Sequence, residues 1–427
     1  MVFTIIISTA TILLMISSIL FFPKIKIGKI HIDTYWIITL LGATTLFLFN
    51  RLGMSEYLSS LSENNSINPI KIIILFFSMT LLSLFLDEVG FFKYVALLCV
   101  NKAKSSQFSI FTLFYFIISI LTVFTSNDII ILVFTPFICY FAKHTKINPI
   151  PYLVAEFVAA NTLSMALLIG NPTNIYLSLS SSISFMEYFK VMFINSIIVC
   201  LVTYILLLLI FRKDLKKEIV KENEDIKISN KIYLIFGLVH LILCTICLAI
   251  SSYLNIEMYL LAIIFALSLV ICIFIYEMIF DKKAHHILDT IKRIPYALIP
   301  FLFSMFAIVL ALENQGIVDK IAKLLNKGND VINVGVTSFI SCSFMNNIPM
   351  SVLYSNILNN GTFSIDAIYA AIGGSNLGAI LSPIGALAGI MWINIINDSE
   401  TKFEIKDFIK YCTPLSIILM GLFLILL

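Results

Sequence analysis

The sequence predicts an all-α integral membrane protein with about ten spans and two re-entrant hairpins, arranged as two inverted repeats of five spans each. Three observations predict this class: an apolar composition, two apolar segments broken in their middle, and the same order of elements in both halves. Of the 427 residues, 60% are hydrophobic and 12% are charged, whereas a soluble domain is about 25% charged. The runs stay apolar for about twenty residues, unlike the alternating strands of a membrane β-barrel.

Two membrane-length segments are interrupted by helix-breaking residues. Gly170-Asn171-Pro172 interrupts the segment 149–179, and Ser382-Pro383-Ile384-Gly385 interrupts the segment 367–396. In lipid, a broken helix is tolerated only where it lines a cavity or is buried in protein. One broken helix in each half of the chain is typical of the binding site of a secondary transporter.

The first half, residues 1–211, is predicted to hold five crossings. A 33-residue apolar segment, 108–140, is too long for one span and carries a polar break at Thr125-Ser126-Asn127-Asp128, so it predicts a re-entrant hairpin. The other predicted elements are spans Val2–Phe22, Thr34–Asn50 and Ile70–Leu86, an interfacial helix Phe91–Val100, the broken helix 149–179 and a span Phe185–Phe211.

A hydrophilic segment, 212–231, is predicted to be a cytoplasmic connector, and residues 232–427 repeat the order of elements. The predicted elements are spans Ile232–Ser252, Met258–Phe280 and Pro295–Leu312, an amphipathic helix Val318–Lys327, a re-entrant hairpin 331–358 broken at Asn346-Asn347, the broken helix 367–396 and a final span Phe408–Leu427. An odd number of crossings in each half makes the second repeat inverted.

Charge in the loops predicts the orientation in a cell membrane, inner or plasma. Loops 51–69, 180–184 and 253–257 carry one basic residue, Arg51, whereas the alternate loops, including 212–231, are rich in Lys and Arg. Basic loops stay in the cytoplasm, so both termini are predicted to lie outside. The net charge of +3 is small and predicts no nucleic-acid partner.

Each repeat has two polar breaks, and each pair of hairpin tip and broken helix is predicted to form one ion site, with the substrate between the two pairs. The fourth break is predicted to include Gly374-Ser375-Asn376 together with Ser382-Pro383-Ile384-Gly385. Backbone groups at a helix break lack helical partners, and half-helix N-termini attract anions. The candidate residues are Ser126, Asn127, Asp128, Asn161, Gly170, Asn171, Thr173, Asn174, Asn346, Asn347, Ser375, Asn376, Ser382, Pro383 and Gly385. Of these, the candidate Na⁺ ligands are Asn127, Asp128, Asn171, Asn347 and Asn376. Small and amide residues also serve simply to pack membrane helices together.

Two carboxylates lie within the predicted membrane segments of the first repeat. Asp128, at the hairpin tip, either binds Na⁺ or carries a proton, or else caps the following helix. Glu156 is expected near the membrane interface with a packing role. No enzyme or nucleotide-binding signature is present, so the sequence predicts a transporter with no catalytic residues and no cofactor beyond a coupling ion, Na⁺ or H⁺.

At these breaks the chain resembles the ion transporter superfamily, most closely its arsenite-permease-like branch. The resemblance rests on SNDIIILVFTPF (126–137), IGNPTN (169–174), MNNIP (345–349) and SNLGAILSPIGALAGIMW (375–392). It implies a homodimer with a scaffold part and a transport part that moves as an elevator, with substrate and Na⁺ at the hairpin tips and helix breaks. A separate ATPase partner is compatible with the branch.

The first functional hypothesis is therefore a secondary transporter that moves a small anion or arsenite, coupled to Na⁺ or H⁺. The alternative is a Na⁺/H⁺ antiporter of the same superfamily, with Asp128 as the exchanging carboxylate. A sodium–dicarboxylate symporter ranks lower, because the tips read Ser126-Asn127-Asp128 and Asn346-Asn347-Ile348 instead of Ser-Asn-Thr. A receptor or membrane-embedded enzyme ranks last, because the sequence offers neither a sensory domain nor a catalytic set.

Overall fold

The computed structural model describes residues 1–22, 24–27, 30–62, 68–102, 106–216, 231–280, 285–399, 401 and 403–427. Most of the predicted connector 212–231 lies outside these described residues. The first-half elements are α1 (Val2–Phe21), β1 (Lys24–Ile27), β2 (Ile30–Asp33), α2 (Thr34–Leu48), α3 (Met54–Ser62), α4 (Pro69–Glu88), α5 (Phe91–Lys102), α6 (Gln107–Phe124), α7 (Asn127–Thr145), α8 (Ile150–Leu163), α9 (Pro172–Ser180) and α10 (Phe185–Phe211).

The second half follows the same order of helix types. Its elements are α11 (Lys231–Ala249), α12 (Ser251–Leu254), α13 (Met258–Phe280), α14 (His286–Lys292), α15 (Leu298–Asn314), α16 (Ile317–Leu325), α17 (Asp330–Met345), α18 (Asn347–Asn359), α19 (Ile365–Leu381), α20 (Leu387–Asp398) and α21 (Ile405–Leu426). The predicted polar breaks separate α6 from α7, α8 from α9, α17 from α18 and α19 from α20. That the second set is an inverted copy of the first stays a prediction.

By helix length alone, fewer than the ten or so predicted spans are found in the described chain. It holds eight helices long and apolar enough to cross a membrane, or nine if α15 and α16, bent by 82°, count as one span. The predicted span Thr34–Asn50 forms α2, with only 15 residues. Each broken helix divides a membrane-length segment into two short pieces, none of which reaches span length alone.

The two predicted hairpins differ in length. The arms of the first, α6 and α7, have 18 and 19 residues and are each long enough to span. The arms of the second, α17 and α18, have 16 and 13 residues. By length, therefore, only the arms of the second hairpin are too short to be ordinary spans.

Four elements occur where the sequence predicted loops. Strands β1 and β2 form an antiparallel pair with Lys24 opposite Asp33, and helices α3 and α14 are short. The strand pair follows from the alternation of Lys and Ile in residues 24–27, which is a strand pattern. These elements are too short to be predicted from apolar runs of about twenty residues.

The interior of the molecule is built around α8 and α19, in which nearly every residue is buried. Helix α19 packs closely on α17 because it carries glycines four residues apart. A Cβ atom on Gly374 would lie 2.1 Å from Ser338 Oγ, and one on Gly378 would lie 2.6 Å from the Phe339 carbonyl oxygen. Small residues at this spacing let membrane helices approach closely. The second hairpin and the second broken helix therefore share one compact interface.

Ion pairs mark the two ends of helix α4. At one end Lys71 Nζ lies 2.5 Å from Glu257 Oε2. At the other end, Arg293 donates to Glu88 Oε2 at 3.0 Å and also to Asp87. A 20-residue helix is about 30 Å long, so these pairs define opposite ends of the molecule, here named the Lys71 end and the Arg293 end.

Candidate functional site

The tip of the first hairpin is held to α8 by a pair of amides. Asn127 Nδ2 donates to Asn161 Oδ1 at 3.1 Å, and Asn161 Nδ2 donates to the Phe157 carbonyl oxygen at 2.8 Å. The second bond fixes the orientation of the Asn161 amide, so Asn161 must present its oxygen to Asn127. Asn127 must then present its nitrogen to Asn161, which directs its own Oδ1 elsewhere.

Asn127 Oδ1 is buried and has no hydrogen-bond partner within the described part of the chain. A buried acceptor without a partner costs about 1–3 kcal/mol, and most such groups in folded proteins are satisfied. Reversing the amide would bring two oxygens together at Asn161, so it offers no relief. The hairpin tip therefore presents an acceptor that a cation or a donor can satisfy.

Asp128 follows Asn127 in the first turn of α7 but does not cap that helix. The cap is Ser126, whose Oγ accepts from Ile129 N at 3.4 Å. The carboxylate of Asp128 instead lines a cavity of about 400 Å³, and no hydrogen bond to it occurs among the described residues. Of the two roles that the sequence left open, the local geometry removes the capping one.

This cavity separates two groups of helices and opens at the Arg293 end. Helices α2, α4 and α15 form one wall, with Tyr35, Phe76 and Leu298, while α7 and α20 form the other, with Ile129 and Ile390. Ser126 and Asp128 lie on the α7 wall; the charged residues on the Arg293 side are Lys24, Asp33, Arg293 and Asp398. The cavity therefore extends between the tip of the first hairpin and the Arg293 end.

At the centre of the molecule, Asn376 of α19 joins the two broken helices. Its Oδ1 accepts from Ser164 Oγ at 2.9 Å and from Asn171 Nδ2 at 3.0 Å. Its Nδ2 donates to Asn174 Oδ1 at 2.7 Å and to the Ile372 carbonyl oxygen at 2.9 Å. The neighbouring hydroxyls of Thr173 and Ser375 lie 3.0 Å apart. Five predicted site residues thus form one buried network: Asn171, Thr173, Asn174, Ser375 and Asn376.

The break between α8 and α9 is stabilised by side chains that replace missing helical bonds. Asn174 Nδ2 donates to the carbonyl oxygens of Ser164 and Leu167, at 2.7 and 3.2 Å. Asn171 Oδ1 accepts from Thr173 N at 3.2 Å and caps α9. These amides satisfy backbone groups that the break exposes, as the environment requires.

Gly170 is needed in this break because the chain folds back on itself there. A Cβ atom on Gly170 would lie 2.3 Å from the carbonyl oxygen of Ser164, an atom that also accepts from Asn174. We expect Gly170→Ala to lower the thermal unfolding temperature strongly, with a cost of at least about 1–3 kcal/mol as for an overpacked core. Gly421→Ala is the matched control, because a Cβ atom there meets nothing within 4 Å. Equal unfolding temperatures for the two purified variants would contradict this assignment.

The tip of the second hairpin is strained. Asn346 adopts φ 75° and ψ 152°, a region that non-glycine residues occupy only when surrounding contacts impose it. Its Nδ2 donates to the Ile384 carbonyl oxygen at 3.2 Å, and Asn347 N donates to the Gly385 carbonyl oxygen at 2.8 Å. The tip is thus tied to the break that contains Ser382, Pro383 and Gly385.

Two residues that the sequence analysis did not select connect these groups. Ser164 Oγ lies 2.9 Å from the Asn161 carbonyl oxygen as well as from Asn376, so it links the first tip to the centre. Cys342 Sγ lies 3.2 Å from the carbonyl oxygens of both Ser375 and Gly385. Ser164 could have been predicted from its three-residue spacing from Asn161, which places both on one helix face. No sequence pattern predicted the role of Cys342.

Helices α9 and α18 pack together with buried side chains at their contact. Tyr176 and Ser178 on α9 and Ser355 on α18 are at most 2% exposed. The hydroxyls of Tyr176 and Ser178 lack a hydrogen bond of good geometry in the described chain, although Ser355 lies beside Tyr176. The α9–α18 contact is therefore buried, whereas the Asp128 cavity extends toward the Arg293 end.

Comparisons with known proteins give relatives along most of the chain. It is 25% identical over 343 residues to the arsenical pump membrane protein of Escherichia coli, covering 76% of this chain and 78% of that protein. It is 22% identical over 367 residues to the putative arsenical pump membrane protein of Bacillus subtilis strain 168, covering 77% and 80%. Arsenical pump proteins are thus similar to this chain over both halves.

The fold matches the crystal structure of the YdaH transporter of Alcanivorax borkumensis, with a TM-score of 0.60 over 99% of this chain and 97% of that chain, at 14% identity. The family model described as a citrate transporter, CitMHS, matches residues 27–360. The resemblance to the ion transporter superfamily is thereby confirmed. The chain belongs to the CitMHS citrate transporter family of that superfamily and is a multi-pass membrane transporter, not an enzyme.

Proposed function

We propose that this protein is a secondary active transporter that moves a small anion or arsenite across a cell membrane, coupled to Na⁺ or H⁺. The observation that carries the proposal is the cavity of about 400 Å³ that opens at one end and has Ser126 and Asp128 in its lining. A cavity that reaches a broken-helix region from one side is the geometry expected of one state in an alternating-access cycle.

The charges along the cavity favour arsenite in its neutral hydroxylated form over a highly charged anion. Asp33, Asp128 and Asp398 line the cavity, against Lys24 and Arg293. Arg293 is already paired with Asp87 and Glu88. A tricarboxylate such as citrate would meet the Asp128 carboxylate with no unpaired Arg beside it, which is unfavourable in a low-dielectric site. Such an anion would need a bound cation to accompany it.

The first hairpin tip is the proposed site of the coupling ion. Asn127 Oδ1 is a buried acceptor without a partner, and the Asp128 carboxylate follows it in sequence. Hard oxygen ligands of this type suit Na⁺, and a carboxylate alone can carry H⁺. By contrast, the oxygens of Asn171 and Asn376 are occupied by internal hydrogen bonds. Na⁺ binding at those two residues would require the central network to rearrange, so among the candidate Na⁺ ligands we assign ion binding to Asn127 and Asp128.

The Na⁺/H⁺ antiporter is the second candidate, and one observation favours it. Asp128 is the carboxylate that lines the cavity beside the hairpin tip, and none of the ion pairs in the described chain includes it. An antiporter requires only an exchanging carboxylate with access to each side in turn. The two candidates share Asp128 and differ in whether a second solute moves.

We place the protein in the inner or plasma membrane as a homodimer of inverted repeats working by an elevator movement, with the Arg293 end in the cytoplasm. The cavity supports this movement, because it lies between α2, α4 and α15 on one side and α7 and α20 on the other. The predicted cytoplasmic loops meet at that end. Labelling of Cys residues introduced at Arg293 and at Glu257 in intact cells tests the orientation; reaction at position 293 from outside would overturn it.

Transport by the purified full-length protein in liposomes tests the proposed function. Arsenite, citrate, sulfate and Na⁺ alone are supplied in turn under an imposed Na⁺ or pH gradient. We expect arsenite accumulation that depends on one gradient and exceeds that in protein-free liposomes. Na⁺-for-H⁺ exchange with no flux of the other solutes would establish the antiporter instead, and citrate flux without arsenite flux would overturn the charge argument.

A further inference from the structure

The search for functional groups outside the hairpin tips and the central network leads to Glu156, a carboxyl fully enclosed in protein. It is 0% exposed, so its carboxyl is enclosed by protein on all sides; the expected position near the membrane interface stays a prediction. Its Oε1 accepts from Thr135 Oγ1 at 2.8 Å, and its Oε2 accepts from Trp392 Nε1 at 3.4 Å. The Glu156 carboxyl therefore connects α8 to α7 and to α20.

Glu156 has no cationic partner in the described chain. No ion pair includes it, and both of its donors are neutral. An ionised carboxylate buried without a counter-charge costs several kcal/mol. Carboxyls that persist in such positions within a membrane are functional candidates by default and often relay protons.

The surroundings of Glu156 supply few other titratable groups. The Cys139 thiol faces it from α7. The Trp392 ring of α20 and the Phe408 ring of α21 pack on Phe157 beside it. Helices α6, α10 and α19, which also pack on α8, present no charged side chain to it. Glu156 is therefore the group whose charge changes when a proton binds or leaves at this position.

A groove between α7 and α20 brings water close to this carboxyl. The groove has a volume of about 380 Å³ and is lined by Cys139, Lys143, Ile395 and Asp398, among others. Cys139 lies one turn beyond Thr135 on α7, and Ile395 lies one turn beyond Trp392 on α20. The floor of the groove is thus about one helical turn, roughly 5 Å, from the two donors of Glu156. Asp398 also lines the substrate cavity, so the groove and the cavity are neighbours at this end of α20.

We propose that Glu156 carries a coupling proton, exchanged through the α7–α20 groove. Its hydrogen bonds to α7 and α20, which form one wall of the substrate cavity, then change when this proton binds or leaves. The inference rests on the proposed transport function. The proton passes from water in the groove to a carboxylate oxygen of Glu156, and no other bond is made or broken. The Thr135 hydroxyl can accept as well as donate, whereas the Trp392 indole can only donate. When Oε1 is protonated, it can donate to the Thr135 hydroxyl, so this hydrogen bond is kept with donor and acceptor exchanged.

The proton affects transport because α7 and α20 form one wall of the cavity. Hydrogen bonds to an ionised group are roughly twice as strong as those between neutral groups. Loss of the negative charge at Glu156 therefore weakens its hydrogen bond to Trp392 Nε1, which joins α8 to α20. Proton occupancy at Glu156 is in this way linked to the position of the α20 wall.

The test is Glu156→Gln in the full-length protein reconstituted in liposomes, assayed for two activities. We expect exchange of arsenite across a membrane without gradients to stay within about threefold of wild type, while accumulation driven by a pH gradient falls at least about tenfold, or roughly 1.4 kcal/mol of coupling. Asp319→Asn, at an exposed carboxyl on α16, is the control and should change neither. Undiminished pH-driven accumulation in Glu156→Gln would overturn the proposal, as would a wild-type protein driven by Na⁺ alone.

A spectroscopic measurement separates failure of this inference from failure of the proposed function. The carboxylic-acid C=O band in the infrared spectrum of the purified protein is recorded across a pH titration. A pH-dependent band that disappears in Glu156→Gln is expected even if no tested solute is transported; its persistence in that variant overturns the proposal. If Glu156→Gln does not fold, Thr135→Val is used instead. It keeps the carboxyl, so the band should remain and titrate at a shifted pH, and an unshifted titration would contradict the proposal.

Discussion

Asp128→Asn is expected to uncouple transport from its driving gradient. The side chain keeps its size and its place in the cavity lining, but it loses the charge that attracts Na⁺ and the ability to exchange a proton. Coupling free energies between sites are about 1–3 kcal/mol, which correspond to roughly 5–150-fold. We therefore expect gradient-driven accumulation of arsenite to fall within that range, and exchange without a gradient to fall far less.

The measurement compares accumulation and exchange in the same liposome preparation. Glu56→Gln, at an exposed carboxyl on α3, is the matched control and should behave as wild type. Intact gradient-driven transport in Asp128→Asn would remove the coupling role from this carboxylate. A comparison with Glu156→Gln also shows which ion each carboxyl serves. If Asp128→Asn loses the Na⁺ dependence of transport and Glu156→Gln loses its pH dependence, one ion is assigned to each carboxyl.

Asn376→Ala is expected to have the largest effect on stability. The substitution removes the acceptor of Ser164 Oγ and Asn171 Nδ2 and the donor to Asn174 Oδ1, all of them buried. Each buried polar atom left unsatisfied costs about 1–3 kcal/mol, so the total is a large fraction of the roughly 5–15 kcal/mol by which a protein is stable. Little folded protein should be recovered, or its unfolding temperature should fall sharply.

Thermal unfolding and size-exclusion chromatography of the purified variants check this expectation. Asn359→Ala, at an exposed position at the end of α18, is the control. An Asn376→Ala protein that is as stable as the control yet inactive would show that Asn376 binds an ion or substrate instead of holding the two broken helices together.

Much of the fold is determined locally by the sequence. Helices α10 and α13 have the predicted bounds, Phe185–Phe211 and Met258–Phe280, because apolar length and adjacent polar residues define a membrane helix without reference to its neighbours. A helix break occurs in each of the four predicted polar segments, because residues such as Pro interrupt a helix by local backbone effects. The Gly374-Ser375-Asn376 part of the fourth segment instead lies within the continuous helix α19. The relation to the ion transporter superfamily followed from the same breaks.

The partners within the site depended on tertiary structure. Asn376 and Ser164 are 212 positions apart in the chain, and Glu156 and Trp392 are 236 apart. No local pattern encodes such contacts, because they arise when α8, α19 and α20 pack together. The fold consequently decided that most of the predicted amides satisfy one another, that Asn127 keeps a free acceptor, and that Glu156 lies between two helices of the cavity wall. The sequence by itself determined a membrane transporter with four polar breaks; packing decided which polar groups remain available to a solute.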